Sequence, residues 1–146
     1  MGKRVDRYGE PHFQVEDEDV VSIWAAAVPL SKIPADYFEE NYDDERPLNH
    51  FCEEFGFGTY DHDFVDTNAS ENGPADIREL LAACSYGTSF ADAAAAAAEK
   101  LGLARTEYVI LLYNFRYEPK VTRVRKTSHL AFIGCFPFDS DAATAE

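Results

Sequence analysis

The residues of this sequence best suited to chemistry are three consecutive ones, Asp61, His62 and Asp63. Carboxylate oxygens can hold a divalent metal ion and an imidazole can transfer a proton, so these residues could serve a small metal-dependent hydrolase. In an extended segment Asp61 and Asp63 would point to one face and His62 to the other. No further ligand stands at a recognisable spacing, and the other histidines occur singly. Structural or partner-facing roles are therefore favoured, and no metal or catalytic residue is predicted.

Other chemical motifs in the chain are incomplete. Cys135 stands in an apolar segment without an identifiable base, which favours an inert buried thiol over a nucleophile. Gly56-Phe57-Gly58 lacks the rest of a dinucleotide-binding motif, and the acids around it would repel phosphate. The cysteines Cys52, Cys84 and Cys135 are odd in number and have no metal-ligand spacing, so we expect reduced thiols. The sequence predicts no enzyme and no cofactor.

Negative charge is concentrated in the first half of the chain. Residues 1–80 contain 20 acidic and 6 basic side chains, whereas residues 81–146 contain seven of each. A protein with a formal charge of −14 gains no counterion release from phosphate, so nucleic acid and anionic lipid are disfavoured as partners. The charge favours a basic protein partner, although acidity that serves only solubility is an equal alternative.

Three parts of the chain are expected: a loose N-terminal arm over residues 1–18, a single domain over 19–138 and a frayed tail over 139–146. The arm has no apolar run of the kind that a signal peptide requires, and no later segment is apolar enough to cross a membrane. We therefore expect a cytoplasmic location, with no membrane partner.

Strands are predicted from apolar runs. Residues 20–25 form a first strand, and residues 108–115 are apolar on both faces, as in a central strand. Residues 120–126 alternate valines with basic residues, which predicts an exposed strand or hairpin arm. Residues 129–138 form a last strand.

Helices are predicted between the first strand and the later ones. One runs from Ser31 or Pro34 to Tyr42, and a second lies between an Asn49 cap and a Gly56 stop. A third covers residues 75–83, and a fourth covers 90–101, capped by Ser89 and closed by Gly102, with an alanine tract suited to close packing on a sheet. Residues 56–67 are expected to be extended. The fold class is α+β, a single domain with about four helices packed on a mostly antiparallel sheet of four to five strands.

Several short segments of the domain follow one another in a characteristic order: Val21–Trp24, Glu53–Phe64, Ile77–Leu81, Ser85–Tyr86, Ser89–Phe90, Ile110–Tyr117 and Leu130–Gly134. In that order they resemble the immunity 22 family of bacterial polymorphic toxin systems. The resemblance spans about residues 20–138 and leaves out the first eighteen residues, the alanine tract and the C-terminal tail.

The resemblance implies a small cytoplasmic protein that binds and neutralises a cognate toxin, uses no cofactor and catalyses nothing. Many toxins of such systems are nucleases with basic clefts, so the toxin is expected to be basic. Its identity and the oligomeric state of this chain do not follow. An acidic adaptor with another basic client is the remaining alternative, beside the metal-dependent hydrolase.

We predict the toxin-contacting surface within residues 43–66, because acids there alternate with aromatic residues. Complementary charge would speed capture, and aromatic anchors would slow release. The residues given most weight are Asp43, Asp44, Glu45, Glu53, Glu54, Tyr60, Asp61 and Asp63. The alternative is that the aromatic residues here belong to the core and leave only a generic acidic rim; for the phenylalanines this alternative is favoured.

Overall fold

The computed structural model describes residues 11–142, so residues 1–10 of the predicted arm and 143–146 of the predicted tail lie outside the described part. A four-stranded antiparallel sheet has the strand order β2-β5-β1-β6, and a small pair joins β3 to β4. The strands are β1 (Val20–Ala26), β2 (Val65–Ala69), β3 (Ala75–Asp76), β4 (Arg105–Thr106), β5 (Tyr108–Tyr113) and β6 (Leu130–Pro137). The helices are α1 (His50–Phe55), α2 (Ile77–Ala82), α3 (Ala91–Lys100) and α4 (Pro119–Thr122). The α+β prediction is confirmed.

The central strands β1 and β5 are buried on both faces. All seven residues of β1 are buried, with Ile23 and Trp24 on opposite sides because successive side chains of a strand alternate. Val21 pairs with Tyr113 and Ala25 with Val109 across the two strands. The predicted first, central and last strands are therefore present, and the sheet separates two hydrophobic clusters.

Helices α2 and α3 cover one face of the sheet. Ile77 and Leu81 of α2 are fully buried there, as are Ala94 and Ala98 of α3, which confirms that the alanine tract packs closely. The predicted Ser89 cap is wrong. Phe90 occupies the N-cap position of α3, while the Ser89 hydroxyl donates to the Tyr86 carbonyl at 2.7 Å.

Aromatic rings fill the other face, beneath α1. The Trp24 ring lies 5.0 Å from that of Phe51 and 5.8 Å from that of Phe55, in edge-on geometry. Asn49 caps α1 by accepting from the Cys52 amide at 3.0 Å, and Gly56 ends it with a left-handed φ of 80°, as the sequence predicted.

The predicted helix from Ser31 or Pro34 to Tyr42 is wrong. The chain instead makes a short 3₁₀ helix, Leu30–Lys32, and a turn in which the Tyr37 amide donates to the Pro34 carbonyl at 3.0 Å. Pro34 disfavours the helical conformation for the residue before it, and Ile33 is extended, with ψ at 126°. The aromatic spacing that suggested a helix is satisfied by a turn that packs on the core.

Two segments that were predicted to be extended adopt other conformations. Residues 120–126 do not form a strand, because Pro119 begins α4 and Arg123 ends it in a left-handed conformation. Of residues 56–67, the last part belongs to β2, but His62–Phe64 is a 3₁₀ helix.

The described part of the predicted N-terminal arm contacts the domain. Phe13 is buried among the aromatic rings, and the Val15 amide donates to the Asn114 carbonyl at 2.7 Å. The chain entering β1 therefore lies against β5 rather than apart from the sheet. Among the described helices, none has the length and apolar character needed to cross a bilayer.

Candidate functional site

The residues Asp61, His62 and Asp63 form a tight turn on the surface. The Asp61 carboxylate caps the turn by accepting from the Asp63 amide at 3.0 Å, and His62 Nε2 lies 3.4 Å from Asp63 Oδ1. The expectation that the two aspartates share a strand face is wrong, because the backbone here is a 3₁₀ helix. Within residues 11–142, no three side chains of types that bind metals are grouped closely enough to hold an ion.

Asp43, Asp44 and Glu45 lie on one exposed loop. Asn41 closes its base, since its Nδ2 donates to the carbonyls of Pro47 and Leu48 at 2.7 and 2.9 Å. Asp43 stiffens the tip by accepting from the Glu45 amide at 2.9 Å. The loop therefore presents three carboxylates to solvent from a defined backbone.

The neighbouring glutamates of α1 have different environments. Glu53 is exposed, whereas Glu54 Oε1 accepts from the Tyr37 hydroxyl at 2.6 Å and lies 3.2 Å from His129 Nδ1. Burial by itself would raise the pKa of Glu54, but hydrogen bonds from Tyr37, His129 and Thr127 outweigh it and hold that pKa below its usual value. Glu54 is thus already bound within the fold, and Glu53 is the glutamate open to a partner.

Tyr60 is buried rather than projecting. Only 7% of its surface is exposed, and its hydroxyl accepts from Asn49 Nδ2 at 3.0 Å. Burial raises the pKa of this phenol, so it remains neutral. Phe51, Phe55 and Phe57 are also buried, in agreement with the core interpretation favoured for the phenylalanines.

A groove of about 740 Å³, which we call the acidic groove, gathers carboxylates from distant parts of the chain. Its acids are Glu16, Asp17, Glu40 and Asp61, and no lysine or arginine is among its described lining residues. Its apolar surface includes Leu48 and Tyr42; the latter is 96% exposed. The histidines His12 and His62 also line it. A groove with apolar walls, four acids and no lysine or arginine among its described lining residues suits a basic polypeptide segment.

The predicted contact residues fall on several surfaces. Tyr60 and Asp61 line the acidic groove, and the loop of Asp43, Asp44 and Glu45 follows Tyr42 at its edge. Glu53 lines a smaller hollow of about 180 Å³, which shares Glu40 with the acidic groove. Asp63 lines a third groove, and Glu54 lies apart, beside Tyr37 and His129.

Sequence reasoning missed Glu16, Asp17 and Glu40 as members of the groove. The acidic run before β1 was a visible signal, but it was assigned to the loose arm. Its position is set by Gln14, whose side chain accepts from the Asp61 amide at 3.2 Å and donates to the Asn114 carbonyl at 2.8 Å.

Comparison with known proteins identifies a family. A family model described as Immunity protein 22 matches residues 21–139, which include almost all of the sheet and every helix. No curated protein and no solved structure matches the chain.

Proposed function

We propose that this chain, which belongs to the immunity protein 22 family, binds a cognate bacterial toxin. It neutralises the toxin by occupying or shielding the surface through which the toxin acts. The observation that carries this proposal is the family match over residues 21–139. A role in immunity requires binding, not turnover, and we propose no catalytic step and no cofactor for this chain.

The partner proposed here is a basic toxin, such as a nuclease with a cationic substrate cleft. The support is electrostatic: the acidic groove and the loop of residues 43–45 expose carboxylates side by side, with no lysine or arginine among the described residues that line the groove. Nucleic acid and anionic membranes would be repelled by the same surface.

Fast capture is the physical advantage of such a surface. Complementary charge raises the association rate of two proteins by steering their encounter, and apolar contact then slows dissociation. Tyr42, which lines the acidic groove and is exposed, provides that apolar contact. We place the encounter in the cytoplasm, where the three free cysteines would stay reduced.

The test is the association rate of the chain with the toxin protein encoded beside its own gene. The double variant Glu40→Lys/Glu45→Lys reverses two exposed charges at the proposed surface, neither of which caps the backbone, and should slow association about tenfold at low salt. The difference should almost vanish near 1 M salt, where the Debye length is about 3 Å.

The matched control is Glu71→Lys/Glu99→Lys, which changes the net charge equally at two exposed positions outside residues 43–66. It should slow association much less. Equal effects of the two variants on the association rate would show that the surface acts only through the net charge of the chain. A wild-type chain that neither binds nor inhibits this toxin would refute the proposed function itself.

A further inference from the structure

A second groove, which we call the aromatic groove, has a volume of about 480 Å³ and shares no residue with the acidic groove. Four rings line it: Phe64 at the end of the 3₁₀ helix His62–Phe64, Tyr86 in the turn after α2, Tyr113 at the end of β5 and Phe138 just after β6. Rings from four separate parts of the chain therefore converge on one aromatic surface beside the sheet.

Tyr86, Tyr113 and Phe138 form a small ordered cluster. Tyr86 and Phe138 stack with centroids 5.2 Å apart and planes 10° from parallel. Tyr113 stands edge-on to both, with centroids 6.0 Å from Tyr86 and 5.3 Å from Phe138. Stacked rings leave an outer π-face that a further flat group can cover.

The backbone around these rings is fixed. The Tyr113 hydroxyl donates to the Ser85 carbonyl at 2.5 Å, and the Phe138 amide donates to the Asp19 carbonyl at 3.0 Å. After Tyr86 the chain turns at Gly87, where an added Cβ would lie 2.2 Å from the Leu81 carbonyl oxygen. The groove is thus formed before a partner arrives, which limits the entropy lost on binding.

The charged residues that line the groove are all acidic: Asp19, Asp63 and Asp66, with no lysine or arginine among the described lining residues. The Asp66 carboxylate is oriented by the Thr67 amide at 2.9 Å and the Ser85 amide at 3.0 Å. The side chain of Asp63 is 80% exposed, with His62 as its near neighbour.

We propose that the aromatic groove receives an arginine side chain of the partner protein. A guanidinium is planar, so it can stack on a ring face while its N–H groups donate to carboxylates in the same plane. Lysine can supply the charge but not the flat face or the paired donors. An anion would meet three carboxylates, and an apolar side chain would leave them without a counter-charge.

This inference takes the identity of the partner from the proposed function, but its test does not need the toxin. Isotope-labelled chain is titrated with a blocked tetra-arginine peptide and, separately, with a tetra-lysine peptide, while amide and aromatic NMR signals are followed. The arginine peptide should shift the signals of Tyr86, Asn114 and Phe138, and should bind the groove roughly threefold to thirtyfold more tightly than the lysine peptide.

Two variants localise the effect. Tyr86→Asn removes the ring but suits the left-handed φ of 59° at this position, and Asp63→Asn removes an exposed charge. Each should weaken arginine binding, and Tyr86→Asn should abolish the preference over lysine. The controls Tyr42→Asn and Asp43→Asn make the same changes at exposed positions outside the groove and should leave these shifts intact.

Equal affinity for the two peptides, or shifts that avoid the aromatic groove, would overturn the inference. Unaltered arginine binding by both groove variants would do the same. Failure of the proposed function looks different, because wild-type chain would then not capture the toxin, whatever the peptide titration shows. If the chain captures the toxin but the peptide titration is negative, the inference about the aromatic groove is refuted and the proposed function is unaffected.

Discussion

Replacing Asn49 by alanine should destabilise the protein strongly, because this one side chain connects α1 to the segments on either side of the acidic groove. Asn49 is buried and makes three hydrogen bonds. Its Oδ1 accepts from the Cys52 amide at 3.0 Å, and its Nδ2 donates to the Phe38 carbonyl at 3.3 Å and the Tyr60 hydroxyl at 3.0 Å.

The magnitude follows from these three bonds. Loss of an N-cap costs about 1 kcal/mol. Each of the two other bonds contributes about 1 kcal/mol, and the alanine would leave the buried Tyr60 hydroxyl without this partner. The free energy of unfolding should therefore fall by about 3 kcal/mol, which corresponds to a decrease in Tm of roughly 10 °C for a chain of this size.

Urea unfolding followed by tryptophan fluorescence measures this change, since Trp24 is the only tryptophan and lies 5.0 Å from the Phe51 ring of α1. The matched control is Asp76→Ala, which removes the N-cap of α2, an exposed residue whose capping bond is to the Arg78 amide at 3.0 Å. It should cost about 1 kcal/mol. Asn49→Ser keeps a capping oxygen without burying a charge but loses both other bonds, so its cost should be intermediate. If Asn49→Ala costs no more than Asp76→Ala, the buried hydrogen bonds of Asn49 contribute nothing to stability, contrary to this prediction.

Two further predictions concern titration. The pKa of Glu54 is held below its ordinary value of 4.5, so the stability from its carboxylate is present above that pH and is lost as the pH falls through the lower pKa of the folded state. The stability difference between wild type and Glu54→Gln, measured by urea unfolding across pH, should thus be largest near neutrality and narrow below about pH 4; a constant difference would contradict it. Burial raises the pKa of Cys84 to about 12, so at pH 8 its thiol should react with a disulfide reagent only when the chain unfolds. Mass spectrometry that finds Cys84 labelled in the native protein would show that this site opens to solvent.

The helix and strand predictions that succeeded rest on signals carried by a few neighbouring residues. Asn49 begins α1 and Gly56 ends it, as predicted, because capping bonds and a left-handed φ are local properties. The apolar run of β5 predicts a strand buried on both faces and that of β1 predicts a strand, since burial of apolar surface drives such segments into the sheet.

Two of the predictions that failed rested on aromatic or valine spacing that the fold satisfies in another way. Tyr37 and Phe38 pack on Phe51 from a turn, with ring centroids 6.5 and 5.5 Å away, so their spacing needs no helix. Val124 packs against the aromatic cluster from a loop, where Tyr117 donates to its carbonyl at 2.7 Å. Contacts between distant residues decided both segments.

The amino-acid sequence was enough to predict the α+β class, the strands β1 and β5 and a charge that disfavours nucleic acid as a partner. Contacts in the folded chain were needed to show that Tyr60 points inward, and that Glu16 and Asp17 share one groove with Glu40 and Asp61. The physical reason is the range of the interactions. Capping and apolar periodicity act over a few residues, whereas neighbouring surface charges depend on where the backbone returns after tens of residues.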